Sequence, residues 1–270
     1  MIKTMGDDVL KQQNSKLLWI FVPLILVFII AVRTPLDTDF WWHLKAGEYF
    51  FENGSPLLTD TFSHTRFGQE WINHSWLGQA LIYGVYKLLG IAGVSILVAC
   101  VATLSMMLIW RLVDEFTPAM ISFGFLFGSV VASMVWSPRP QIFSLMFLSL
   151  VNLGLHDWRR KKNKIFIITP LFFVLWSNFH AGYPLGLILI FVYGLGELID
   201  SFLTNELRSG FFEKFLPLCV LGLICFLATA INPNFTEMWL VPFKTVGIES
   251  LQDYISEWAS PDFHDLAQQS

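Results

Sequence analysis

The chain has 270 residues, of which 54% are hydrophobic, 16% aromatic and only 14% charged. With a mean hydropathy of +0.57, this composition excludes an ordinary soluble domain and points to an all-α polytopic membrane protein. The net charge of −4 is not gathered into any basic stripe, which excludes nucleic acid as a partner.

The first predicted span covers 17–34. Lys3, Lys11 and Lys16 precede it and no small-residue cleavage pattern closes it, so it reads as a retained anchor. Asp37-Thr38-Asp39-Phe40-Trp41-Trp42-His43 begins five residues past the apolar run that ends at Val32. Two carboxylates and an imidazole are costly beside a membrane helix, which marks them as a candidate site at the membrane surface.

The segment 35–90 is too long and too aromatic for a mere connector, and it is expected as a large outer loop. Within it, apolar residues at 40, 41, 44, 47, 50 and 51 predict an interfacial helix over 40–52, stopped by Asn53-Gly54. A second short apolar stretch, 76–90, carries Lys87 and is expected to lie in or dip into the interface rather than to span. Asp60 reads as a turn residue. Trp41, Trp42, Trp71 and Trp76 fit an aromatic belt as well as a binding surface.

Six further spans are predicted over 92–231, at 92–112, 118–137, 141–158, 164–179, 183–203 and 213–231, about seven in all. With the N-terminus inside, Arg111, the Arg159–Lys164 cluster, Arg208 and Lys214 fall on the cytoplasmic side, as the positive-inside rule prefers. The other side collects Asp37, Asp39, His43, Arg139, His180 and Glu257, the last within an outer C-terminal segment, 232–270. Cys100, Cys219 and Cys225 sit in apolar runs and read as buried small residues.

Asp37 and Asp39 stand at i and i+2, and His43 shares a face with Asp39 if Asp39 opens the helix. Such a trio suits proton transfer, with Asp37, Asp39 and His43 as catalytic candidates. The two aspartates also suit Mg2+ or Mn2+ bound against a phosphate, these being the candidate cofactors. The alternative is that Asp39 or Thr38 merely caps the helix. Arg139, fixed between Pro138 and Pro140, suits a donor phosphate, or else pairs with a lipid headgroup or an acid of the first loop. His180, in a tight turn between two spans, suits a phosphate or metal, or is a structural histidine. Glu257 is the candidate second acidic element, and Asn232 reads as a helix cap.

The run from Asp37 to Phe50, then Asp60-Thr61-Phe62-Ser63, Trp76-Leu77-Gly78-Gln79 and Arg139-Pro140-Gln141, resembles bacterial members of the C-type-fold (GT-C) membrane glycosyltransferases. That superfamily includes protein mannosyltransferases, aminoarabinose transferases and oligosaccharyltransferases; its members generally carry more spans, so the resemblance is to a shortened or partial one. It implies transfer of a sugar from a polyprenyl-phosphate or -diphosphate donor to a glycan, lipid or protein acceptor. It places the reaction on the outer face of the bacterial inner membrane, among membrane lipids. Asp37 or Asp39 would then be base or metal ligand, and Arg139 and His180 would handle the donor phosphate. The competing readings are a non-catalytic assembly subunit and a lipid or solute transporter; the latter more often places charge at mid-span.

Overall fold

The computed structural model describes residues 18–34, 37–113, 117–159 and 165–246. Of these, 77% are helical and none lies in a β-strand, so the protein is all-α. The segment 247–270, with Glu257, lies outside the described residues, as do residues 160–164 of the predicted basic cluster.

Helix α1, Leu18–Ala31, is a short apolar helix. Helix α2, Asp39–Asn53, ends at Gly54, whose φ of 67° lets its N–H reach the Phe50 carbonyl, a stop that a side chain would resist. Its start is held neither by Thr38 nor by Asp39: the Asp39 N–H donates to Asp37 Oδ1 at 2.9 Å, so the first aspartate caps the helix.

Helix α3, Trp76–Trp110, runs 35 residues, broken at Gly90 with φ 62° and ψ −160°. At about 1.5 Å per residue, an unbroken helix of this length would far exceed the hydrocarbon thickness of a bilayer. Near its start, Gly78 packs against the Phe179 carbonyl and Pro140. Beyond the break, the Ser95 hydroxyl donates to the Arg33 carbonyl at 2.7 Å. Both contacts are at the same end of the bundle, so Trp76–Gly90 runs along that end and the chain turns at Gly90 toward the other. The stretch expected to be separate from the span is thus separated by one glycine rather than by a loop.

Helix α4, Pro118–Ala132, starts on the Thr117 side chain with Pro118 in its first turn and continues as a 3-10 turn, Ser133–Val135. Helices α5, Ile142–Arg159, α6, Ile165–Phe179, and α7, Pro184–Leu203, follow with short connections. Helix α8, Leu207–Gly210, passes through a π turn, Phe211–Phe215, into α9, Leu216–Ala228. A 3-10 turn, Phe235–Leu240, and α10, Val241–Val246, complete the described chain.

Among the described residues, four helices are long and apolar enough to cross a membrane: Trp76–Trp110, Pro118–Val135, Pro184–Leu203 and Arg208–Ala228. Leu18–Ala31 and Ile168–Phe179 are apolar but shorter. Exposed Phe123 and Phe127 on α4, Met134 on the 3-10 turn after it, Phe191 and Phe202 on α7, and Leu223 and Leu227 on α9 form the apolar outer surface. In water these would be a liability; toward lipid tails they are expected. Cys225 is buried as anticipated, but Cys100 and Cys219 are exposed on this surface.

The core is aromatic and lies among α3, α5, α6, α7 and α9, with Phe143, Phe173, Trp176, Tyr183, Leu218 and Leu221 all but fully buried. Phe147 stacks on Trp176 with centroids 5.8 Å apart, and Phe143 meets Phe179 edge-on at 4.8 Å. Two polar clusters close the ends. At one, buried Glu197 of α7 takes Arg159 of α5 at 2.6 Å and Lys214 of the π turn at 3.1 Å, while Asp200 takes Arg159 at 3.2 Å. The opposite end gathers the candidate site.

Helix α2 crosses α3 at Gly47, where an added Cβ would stand 2.3 Å from the Gln79 carbonyl oxygen and 2.7 Å from Tyr83 Cβ. Neither neighbour can yield, since one is helix backbone and the other the root of a side chain. Gly47→Ala is therefore expected to lower stability by about 1–3 kcal/mol, read as a fall in thermal midpoint of the detergent-purified protein. Gly124→Ala on α4, with nothing within 4 Å of the new methyl, is the control expected to leave the midpoint unchanged or slightly raised.

Candidate functional site

The link from α4 to α5 carries Pro138-Arg139-Pro140, and the two prolines fix the backbone from which the Arg139 guanidinium leaves. That group reaches the start of α2. Arg139 Nε lies 2.6 Å from Asp37 Oδ2 and Arg139 Nη1 lies 2.9 Å from Asp39 Oδ2. Ser137 Oγ also accepts from Nε at 3.1 Å, and rotating the Gln141 amide would bring its oxygen to 3.2 Å from Nη2. Of the options open in the sequence, the described contacts show Arg139 pairing with the acids of the first loop.

The two aspartates are not equivalent. Asp37 is 16% exposed, divided between the helix cap and Arg139. Asp39 is 47% exposed and gives Arg139 only one carboxylate oxygen, Oδ2. Its Oδ1 has no hydrogen-bond partner among the described residues, which leaves it as the oxygen able to accept a proton from a ligand.

Beside this trio runs a cleft of about 880 Å3. Arg33, Asp37, Ser137, Arg139 and Gln141 line its polar side, and Ala31, Val98, Met134 and Val135 its apolar side. A head bearing charge and a tail bearing hydrocarbon would each find a matching wall. Asp39, His43 and His180 do not line it.

His43 follows Asp39 by one helical turn, as expected if Asp39 opens α2, yet its ring is buried at 6% exposure. Gln79 Nε2 donates to His43 Nδ1 at 3.2 Å, and Asn73 Nδ2 donates to Gln79 Oε1 at 2.8 Å. Burial first, and then the charges of His74, His180 and Arg139, push its pKa down to about 2. The Gln79 amide occupies the Nδ1 lone pair, which ties α2 to the start of α3.

His180 stands in the turn between α6 and α7. Its Nδ1 accepts from the Gly182 N–H at 3.1 Å and, by the same lone pair, from the Ser144 hydroxyl at 2.8 Å, which itself accepts from Trp176 Nε1 at 2.7 Å. An alanine at 182 would put its Cβ 2.4 Å from Ser144 Oγ, so this turn needs glycine. Burial, then His74 and Arg139, push the His180 pKa down to about 3. His180 brings no positive charge to a phosphate; Nε2–H is the donor it can offer. His74 meets its ring edge-on at 6.0 Å, and its own pKa is lowered by burial.

A buried amide network, not foreseen from sequence, joins this end of the bundle. Asn178 Oδ1 accepts from Trp76 Nε1 at 2.7 Å and from Asn232 Nδ2 at 3.2 Å. Asn232 also donates to the Ser177 carbonyl at 2.8 Å, tying the end of α9 to the end of α6. Its Oδ1 accepts from the Asn234 N–H, so it shapes the turn after α9. Asp60 takes the expected turn role, accepting from the N–H groups of Phe62 and Ser63. Arg33 was also missed; its position at the end of the first span, four residues before Asp37, was the available signal.

Among the described residues, no group of three or more His, Cys, Asp or Glu side chains is placed to hold a metal ion. Mg2+ is commonly held by one or two carboxylates with substrate phosphates, but here both carboxylates already balance Arg139. Compared with protein families, curated proteins and solved structures, the chain matches none.

The histidines give this end a pH signature. The fold keeps His43 and His180 neutral down to about 2 and 3, whereas the unfolded chain takes up those protons below about 6.5. Stability is therefore full above about pH 6.5 and falls as pH drops through the window down to about 3, by up to about 1.4 kcal/mol per pH unit for each ring. Thermal midpoints measured across that window are expected to decline, and His180→Asn to flatten the slope by about one proton's share.

Proposed function

We propose that this protein is a membrane-embedded glycosyltransferase that moves a sugar from a polyprenyl-phosphate or -diphosphate donor to a hydroxyl acceptor. The observation that carries the proposal is the Arg139 bridge to Asp37 and Asp39 at the edge of a cleft with one polar and one apolar wall. A phosphate-matching cation and a half-exposed carboxylate are the two groups such a transfer requires.

In this reaction the prenyl chain lies along Ala31, Val98, Met134 and Val135, with its phosphate toward the guanidinium side. Asp39 Oδ1 takes the proton from the acceptor hydroxyl. The hydroxyl oxygen bonds to the anomeric carbon as the bond from that carbon to the phosphate oxygen breaks, and the electron pair leaves on the phosphate. Arg139 balances the charge that grows there, and Asp37 holds Arg139 and the start of α2 in register. One displacement inverts the anomeric centre.

We take the bundle as seven crossings: α1, α3 beyond Gly90, α4, α5, α6, α7, and α8 with α9. Contacts at Arg33, Gly78, Ser133, Arg139, Asn178 and Asn232 join their ends at one side. Arg111, Arg159, Arg208 and Lys214 stand at the other, which the positive-inside rule assigns to the cytoplasm. The site then faces outward, in the inner membrane of a bacterium. The assembly-subunit and transporter readings gain less support, because the charges gather at the two ends of the helices and not along a path between them.

Two measurements test this reading. Purified protein supplied with labelled polyprenyl-linked sugars is expected to consume the donor, and Asp39→Asn to slow turnover about 10²–10⁴-fold while donor binding persists. No donor bound or consumed by a folded preparation rejects the enzyme. Single cysteines placed at Arg159 and at Phe67, an exposed residue of the first loop, are expected to label from the cytoplasmic and the external side respectively; the reverse pattern rejects the orientation.

A further inference from the structure

Among the described residues, five buried side-chain polar atoms have no hydrogen-bond partner, and Trp136 Nε1 is the one whose residue belongs to the cleft wall. Trp136 is 6% exposed. A buried N–H with no acceptor bears the full cost of its desolvation, and native folds keep few of them. This one stands where a ligand can reach its ring.

The position of Trp136 is set by Ser133, which also sets that of Arg33. Trp136 closes the 3-10 turn after α4, and its backbone N–H donates to the Ser133 carbonyl at 3.3 Å. The same carbonyl accepts from Arg33 Nη1 at 3.1 Å, and Ser133 Oγ accepts from Arg33 Nη2 at 2.7 Å. With Nε donating to the Ile30 carbonyl at 3.0 Å, three of the five guanidinium N–H groups are spent and two remain. The next residue adds a third donor: Ser137 Oγ accepts from Arg139, but its own hydrogen has no acceptor among the described residues. Arg33, Trp136 and Ser137 thus hold unspent donors in one cleft whose other side is hydrocarbon. A phosphodiester on a lipid chain matches them, since its oxygens accept and bring no donors of their own.

We infer that Trp136 is a docking residue for the phosphate of a lipid-linked donor: as the ligand enters, the indole turns its buried N–H to a phosphate oxygen, beside the two remaining N–H groups of Arg33. The inference rests on the lipid-linked-donor reading above and deepens it. A ring that served packing alone would be replaced by phenylalanine with no effect specific to phosphate.

The test uses the full-length protein with 15N-labelled tryptophan indoles in zwitterionic nanodiscs, with empty discs subtracted. The probes are farnesyl methyl phosphate and, without the phosphate, farnesol. The indole resonance missing from Trp136→Phe is expected to move downfield in its proton dimension with the phosphate probe and to stay in place with farnesol. Trp136→Phe is expected to weaken binding of the phosphate probe about tenfold and to leave farnesol binding unchanged. Arg33→Gln is expected to show the same selectivity. Should Trp136→Phe fail to fold, Trp136→Tyr assigns the resonance and the titration of the unmutated protein decides. An unmoved indole resonance, or equal phosphate binding in Trp136→Phe, overturns the inference and leaves the lipid-linked-donor reading standing. Equal losses for the phosphate probe and farnesol also overturn it, because the ring then only packs. No binding of the phosphate probe by folded, unmutated protein overturns both. If discs of phosphatidylglycerol without probe, or inorganic phosphate, move the resonance as far, the ligand is a bilayer lipid or free phosphate and the assignment to a donor is overturned.

Discussion

The contact on which the rest of this structure depends joins residues a hundred positions apart: the Arg139 guanidinium between the carboxylates of Asp37 and Asp39. Helices surrounded by lipid gain little from burying apolar faces on one another, so polar ties do much to set which ends meet. Arg139 is 15% exposed, so a charge left there without carboxylates would be expensive. The two prolines around it reduce the freedom lost when the pair forms. Through Asp37, which caps α2 as well as pairing, the same contact fixes where the first loop begins.

Its influence extends to groups it does not touch. The positive charge of Arg139 is among the causes that lower the pKa of His43 and of His180, after burial itself. Around one charged trio, then, the fold arranges neutral donors and acceptors: the His43–Gln79–Asn73 chain, the His180–Ser144–Trp176 chain and the asparagines at 178 and 232. Neutral networks can be buried if every member is satisfied, whereas further charges could not be. That division explains why the imidazoles lie inward and Asp39 outward, although all are neighbours in sequence or in space.

Much of the fold was legible because its signals are local. The apolar runs place α4 through α7 within a residue or so of their observed starts, and Asn53-Gly54 marks the end of α2 because the left-handed turn there favours glycine. The same logic identified Asp37, Asp39, Arg139 and His180 as belonging to one end. What the sequence does not carry is pairing across the bundle. Nothing in Pro138-Arg139-Pro140 names Asp37 as its partner, nor does Asn232 announce Asn178. Burial was equally hidden: His43 has the spacing of an exposed helix face until Gln79 of the crossing helix covers it, and Cys100 and Cys219 sit in apolar runs whose outer faces meet lipid. In sequence Gly90 has the look of a boundary between elements, whereas a single residue with positive φ turns one helical run without interrupting it for a loop.

The two ends of the bundle also differ in how their charges are arranged. At the far end, Glu197 is buried and both of its oxygens are taken, one by Arg159 and the other by Lys214, while Arg159 turns its remaining side to Asp200. That cluster ties α5, α7 and the π turn together around a buried carboxylate whose two oxygens are both taken. At the site end Asp39 keeps one carboxylate oxygen unpartnered and half-exposed, and Arg33 keeps two N–H groups on a cleft wall. The far end gathers its charges around one buried acid, whereas the site end sets its charges along a cleft. The difference between the ends is therefore one of shape, a filled charge cluster against a charged cleft, and it holds independently of which side of the membrane either end occupies.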